Sequence, residues 1–185
     1  MIRILYSNGN NPINYDLTLE QLPALLATKS GTLWVDISDE DLAVSEPILR
    51  DTFNFHPLAI SDALEETHVP RVDDWSSYLY IVLHALAFDQ EQDEPLRTSE
   101  IDIFLGKNYL VTYQSHKLDV VDRVWNQVQR DTRFLQKGAD HLLYKLADDL
   151  IADYLPMVDQ MDVVMDEIED QVFDRPSQNL LEKIF

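Results

Sequence analysis

The chain has 185 residues, 45% of them hydrophobic, with 34 Asp and Glu against 14 Lys and Arg and a formal net charge of -20. A surface this acidic excludes nucleic acid as a partner and direct adhesion to anionic lipid, both of which need basic residues; it concentrates cations, or simply keeps the chain soluble. The absence of cysteine removes disulfides, thiolate chemistry and cysteine–zinc sites. The length suits one compact domain with an extension. The opening MIRILYSNGNN has neither the basic start nor the apolar run of a signal peptide. No apolar stretch reaches membrane-spanning length, so the chain as given is expected to be soluble.

In chain order, IRILY (2–6) reads as a short strand closed by the turn-rich SNGNNPIN. Thr18 and Gln21 form a capping-box pair ahead of LEQLPALLATKS, and Gly31 is placed to end that helix. TLWVDI (32–37) is a second strand. A helix follows to about Phe53, with Pro47 tolerated near its start. Pro57 opens the next helix at the favoured first position, and Pro70 forces its end. YLYIVLHALAF (78–88), apolar on both faces, predicts a central strand covered on both sides. After the loop DQEQDEP come RTSEIDIFL (97–105), a turn at Gly106-Lys107-Asn108, and YLVTYQ (109–114), read as consecutive antiparallel strands.

The remainder is predicted to be helical. Leu118, Val121, Trp125 and Val128 mark one amphipathic helix, which Gly138 breaks. Asp140 is a good N-cap for a second helix beyond that glycine. Leu143, Ala147, Leu150, Tyr154, Met157, Met161, Val164 and Ile168 alternate spacings of four and three, a coiled-coil-like stripe on one long helix that Pro156 can kink. Between Lys145 and Arg175 that helix carries many acids and no basic residue. SQNLLEKIF starts another helix and stops without a cap, so the natural polypeptide is expected to continue. The expected fold class is α/β: a mixed β-sheet sandwiched between helices (α/β/α) over residues 1–115, leading into a helical region, 116–185, with a long stalk helix at about 140–174.

In HPLAISDALEETHVPR (56–71), Asp62, Glu65 and Glu66 stand at i, i+3 and i+4, away from the Ile60–Ala63–Leu64 stripe, with no Lys or Arg among them. Like charges so spaced cost a helix about 0.2–0.5 kcal/mol each, and the helix C-terminus disfavours them further. Two readings stay open: a solvated face, or a site for a hard, oxygen-seeking cation such as magnesium or calcium. His56, His68 and His84 offer a zinc set, but His84 lies in a core strand, His56 stands where it can cap a helix, and no close His pair exists. Nothing supports an enzyme: GxSxG, Walker A and GxGxxG are absent, and no carboxylate spacing singles out an acid–base pair.

The stretch HPLAISDALEETHVPRVDDWSSYLYIVLHAL, continued by FLGKNYLVTYQ and ADHLLYKLADDLIADYLPMVDQMDVVMDEIEDQVF, resembles the N-terminal domain of the CorA family of magnesium and cobalt transporters. The family's Gly-Met-Asn signature and its two membrane helices are absent from this sequence. The resemblance implies the cytoplasmic part of an inner-membrane homopentamer, in which magnesium (or cobalt, or another divalent cation) bound between neighbouring subunits holds the pore closed. It implies Asp62 as one regulatory metal ligand and Asp148 as a ligand of a second nearby site. Ser61 departs from the family, which frequently has an acid there that serves the second site. Two rivals share the features of this chain: the zinc-transporting branch of the same superfamily, and a free-standing acidic interaction module that uses the long helix as a dimer seam.

Overall fold

A computed structural model describes residues 1–9, 14–15, 17–28, 30–66, 69–88 and 96–174. The loop DQEQDEP, His68 and the SQNLLEKIF segment fall outside them. The elements in order are β1 (Ile2–Ser7), α1 (Leu22–Thr28), β2 (Thr32–Ser38), α2 (Leu42–Pro47), α3 (Pro57–Glu65), β3 (Arg71–Asp74), β4 (Tyr78–Phe88), β5 (Leu96–Gly106), β6 (Tyr109–Gln114), α4 (Asp119–Arg130), α5 (Arg133–Gln136), α6 (Ala139–Ala152) and α7 (Tyr154–Asp174). Two compact units result: Met1–Ala85 with Thr98–Asp149, and Leu86–Arg97 with Leu150–Phe185.

The strands form one mixed sheet in the order β1-β2-β6-β5-β4-β3. β2 and β6 are parallel, and β1–β2, β5–β6 and β3–β4 are antiparallel. Alternation along each strand builds two cores. Ile4, Leu33, Val35, Ile37, Phe104 and Val111 pack with Leu22, Leu49, Phe55, Ala59 and Ile60 of the first helices and their connections. On the opposite face Trp34 meets Trp125 of α4 at 4.9 Å, and α5 lies against β1 and β2. The α/β/α expectation therefore holds.

Several local readings hold with their cause visible. Thr18 N–H donates to Gln21 Oε1 at 2.9 Å, half of a capping box that opens the turn before α1. Gly31 lies past the helix end at φ +76°, where a Cβ would stand 2.3 Å from the Ser7 carbonyl oxygen. His56 caps α3: its Nδ1 accepts from Leu58 N–H at 3.2 Å while its ring stacks on Trp75 at 4.1 Å.

Others need correction. Pro47 closes α2 instead of opening it, and the chain continues through one wide turn, Ile48–Thr52, in which Phe53 N–H reaches the Ile48 carbonyl. The helix before Gly138 already ends at Arg130, and Asp140 lies in the first turn of α6, where its carboxylate accepts from His141 N–H. The long C-terminal helix is present as expected, but a turn at one residue divides it into α6 and α7. The break is at Asp153, and Pro156 falls in the first turn of α7, where a missing N–H costs nothing. The buried residues of α6 are Ala139, Leu142, Leu146 and Leu150, so Leu150 falls on the expected stripe while Leu142 and Leu146 are buried in place of Leu143 and Ala147.

Candidate metal-binding carboxylates

α3 is held on the sheet by an aromatic stack just before it. Phe55 packs face to face on Phe104 at 4.2 Å and against Tyr78 at 4.6 Å, and the Tyr78 hydroxyl accepts from His56 N–H at 2.9 Å. This fixes the helix whose outer side carries the three carboxylates.

Those carboxylates are not a bare patch. Asp62 Oδ2 accepts from Nη2 of Arg71, Glu65 accepts from the Ser61 hydroxyl at 3.0 Å, and Glu66 accepts from the Ser115 hydroxyl. The arginine comes from β3, an edge strand that the sequence reading missed. The alternation of Arg71 and Asp73 with Val72 has no apolar face to announce a strand, but charged residues are what an edge carries. The register sets Arg71 opposite Val82 and Asp73 opposite Tyr80. Arg71 therefore stands beside α3, with Nε 3.1 Å from Asp73 Oδ2 and the guanidinium 5.6 Å from the Tyr80 ring centre. Burial pulls the arginine's pKa down, but Asp62, Tyr80 and Asp73 together carry it above its usual value.

Beneath Arg71 lies a second acidic group, also missed. Glu100 and Asp102 alternate along β5, so both share the face of Phe104 and are buried there. The Tyr80 hydroxyl donates to Asp102 Oδ1 at 2.5 Å, and His84 Nε2 lies 3.6 Å from Glu100 Oε2. Burial pushes Asp102 up to about 8; Tyr80 and Arg71 oppose this, and Glu100 and Glu66 add to it. The period-two spacing of two acids inside SEIDIFL was the available signal. His84, half-buried on β4, thus lies beside a buried acid of β5.

Asp148 lies on the exposed side of α6, 54% accessible, with Lys145 Nζ 4.0 Å away and closer, at 3.0 Å, to Asp149. α6 contributes nothing to the apolar core beneath α3. Asp62 and Asp148 are both reachable from solvent. Among the described residues no group of three or more His, Cys, Asp or Glu side chains could hold a metal ion. No described helix is long and apolar enough to cross a membrane.

Residues 29–185 match the family described as CorA-like Mg2+ transporter protein. The Bacillus subtilis protein YfjQ is 33% identical over 153 residues, covering 82% of this chain and 46% of that protein. The cobalt/magnesium transport protein CorA of Thermotoga maritima is 28% identical over 155 residues, covering 83% of this chain and 44% of that one. The soluble domain of CorA from Methanocaldococcus jannaschii superposes with a TM-score of 0.73 at 19% identity, covering all of this chain and 69% of that one. The mixed sheet with flanking helices and a long C-terminal helix is that domain's fold. The chain belongs to the CorA-like transporter family and corresponds to its N-terminal domain. It spans less than half the length of the Bacillus and Thermotoga relatives.

Proposed function

We propose that this chain is the cytoplasmic metal-sensing part of a divalent-cation transporter of the inner membrane, acting on magnesium or cobalt, which gates the pore of a homopentamer through carboxylates at subunit contacts. The observation that carries the reading is the family match over residues 29–185, combined with two accessible carboxylates, Asp62 and Asp148, on separate elements of the domain. The donor set fits a hard cation: it is all oxygen, the chain has no cysteine, and each carboxylate keeps part of its surface open. Each supplies half a site, to be completed by a neighbouring copy.

A bound divalent ion supplies positive charge between carboxylates of two copies. Without it, acidic surfaces facing each other across a contact repel, and the net charge of -20 makes that repulsion large. Asp62 is presented by a helix anchored through Phe55 and Tyr78, so a force on its carboxylate is a force on the sheet layer. The gating equilibrium is then set by the difference in affinity between the two assemblies.

The test is cation flux through the intact transporter as internal magnesium is raised. Asp62→Asn and Asp148→Asn are expected to let flux persist at magnesium levels that close the parent. Asp159→Asn and Asp162→Asn are the controls on the acidic α7. If the controls relax closure as much as Asp62→Asn, diffuse charge is the cause. If no variant changes the magnesium response, the sensing role fails. Parallel assays with zinc separate a zinc carrier from a magnesium one.

A further inference from the structure

We propose that Arg71 is a built-in competitor for the cation at Asp62: it occupies that carboxylate in the metal-free chain and is displaced toward Asp73 and the Tyr80 ring when a divalent ion binds. The proposal rests on the reading of Asp62 as a metal ligand. It deepens that reading by naming the residue that sets the site's threshold.

Three observations on Arg71 combine. Its Nη2 donates to Asp62 Oδ2, so the carboxylate is already neutralised by a cation from its own chain. Its Nε lies 3.1 Å from Asp73 Oδ2 without a hydrogen bond, so a second carboxylate already stands beside it to hold its charge. Its guanidinium stands over the ring of Tyr80, whose hydroxyl donates to buried Asp102, so on leaving Asp62 it stays against an aromatic face and beside Asp73. The arginine is thus bound at one site and provided with a second. Its side chain is 30% accessible, enough to move without unpacking the core.

Competition has a specific signature. A divalent ion binds Asp62 with its intrinsic affinity reduced by the fraction of chains in which Arg71 holds the carboxylate. Removing the arginine's charge should tighten binding, and keeping the charge on a lysine should not.

The experiment measures Mn2+ binding to this 185-residue chain at pH 7, from paramagnetic broadening of the Asp62 amide signal. Arg71→Met is expected to bind about two- to fivefold more tightly, the range of a partly exposed ion pair. Arg71→Lys should bind like the parent, and Asp62→Asn should lose the local broadening. Arg50→Met is the control: Arg50 is paired to Glu46 and Asp51, not to Asp62. Equal tightening in Arg50→Met and Arg71→Met would overturn the proposal in favour of general charge. Loss of broadening in Asp62→Asn with unchanged or weaker binding in Arg71→Met would overturn it while leaving Asp62 a ligand. Undiminished broadening in Asp62→Asn would remove both readings. Should Arg71→Met fail to fold, the parent decides through its Arg71 Nε–H signal: it must move as Mg2+ saturates Asp62, and a stationary signal overturns displacement.

Discussion

Arg3 and Asp36 are partners twice over: they pair in the β1–β2 ladder, and Nε and Nη2 of the arginine both donate to Asp36 Oδ2, at 3.0 and 2.6 Å. The other carboxylate oxygen accepts from the Thr112 hydroxyl at 2.7 Å and the Gln114 amide at 2.9 Å, both on β6. Asp36 is wholly buried, and the arginine continues to Asp122 of α4 at 2.7 Å while lying 4.5 Å from the Trp125 ring centre. One ion pair therefore ties β1, β2, β6 and α4 together. Arg3→Met should cost about 3–5 kcal/mol, because it strands a buried carboxylate. Arg3→Met combined with Asp36→Asn should cost less than the sum of the two single changes, as urea unfolding of the four proteins would measure.

Asp102 predicts the pH dependence of stability. Its carboxyl is raised by burial from 3.8 to about 8. Between those values the native state holds a proton that the unfolded state has released, so this group's contribution is fully present below about 4 and is lost as pH rises through about 8. Asp102→Asn imitates the protonated form and still accepts from Tyr80. It should gain on the parent by about 1–3 kcal/mol between pH 5 and pH 8.5. Denaturant midpoints at the two pH values check this; an equal difference at both would sink it.

Gly31 turns the chain into β2 at φ +76°, with the Ser7 carbonyl oxygen 2.3 Å from where a Cβ would be. Gly31→Ala combines a disfavoured backbone region with a clash against backbone that cannot swing aside. It should lower stability by about 2 kcal/mol or more. Thermal unfolding is sufficient to see it.

Pro156 distinguishes a broken helix from a bent one. In the middle of a continuous helix, replacing proline by alanine relieves about 3 kcal/mol. In the first turn of α7, after the break at Asp153, the same change should be worth less than about 1 kcal/mol. Chemical unfolding of Pro156→Ala separates the two cases.

The strands were legible because their sides differ: Leu33, Val35 and Ile37 on one face and Trp34, Asp36 and Ser38 on the other alternate at period two, and the core follows. α3 was legible because Pro57 fixes its start. β3 was not, because a four-residue edge strand of charged and valine residues has too little apolar contrast to read. The partner of Asp62 was hidden for the same reason. It lies in sequence beyond the end of α3, and only the β3–β4 register turns Arg71 back onto it. The burial of Asp36 and Asp102 was unreadable because an acid in a strand looks alike whether water or a hydroxyl from another strand satisfies it.

The parallel pairing of β2 with β6 brings Leu33 beside Tyr109 and Ser38 beside Gln114. On a ribosome, β1 and β2 can meet as soon as they emerge, since their pairing is antiparallel and close in sequence. The inner edge of β2 then waits, unpaired and apolar, until the final strand of the sheet has been synthesised. Assembly is limited by closing that long loop, a contact of high order that is slow for entropic reasons. A nascent chain halted before Tyr109 presents an open hydrophobic edge, the kind that chaperones hold and that aggregates in their absence. The strand order that places β6 inside the sheet also makes it the last strand the cell delivers.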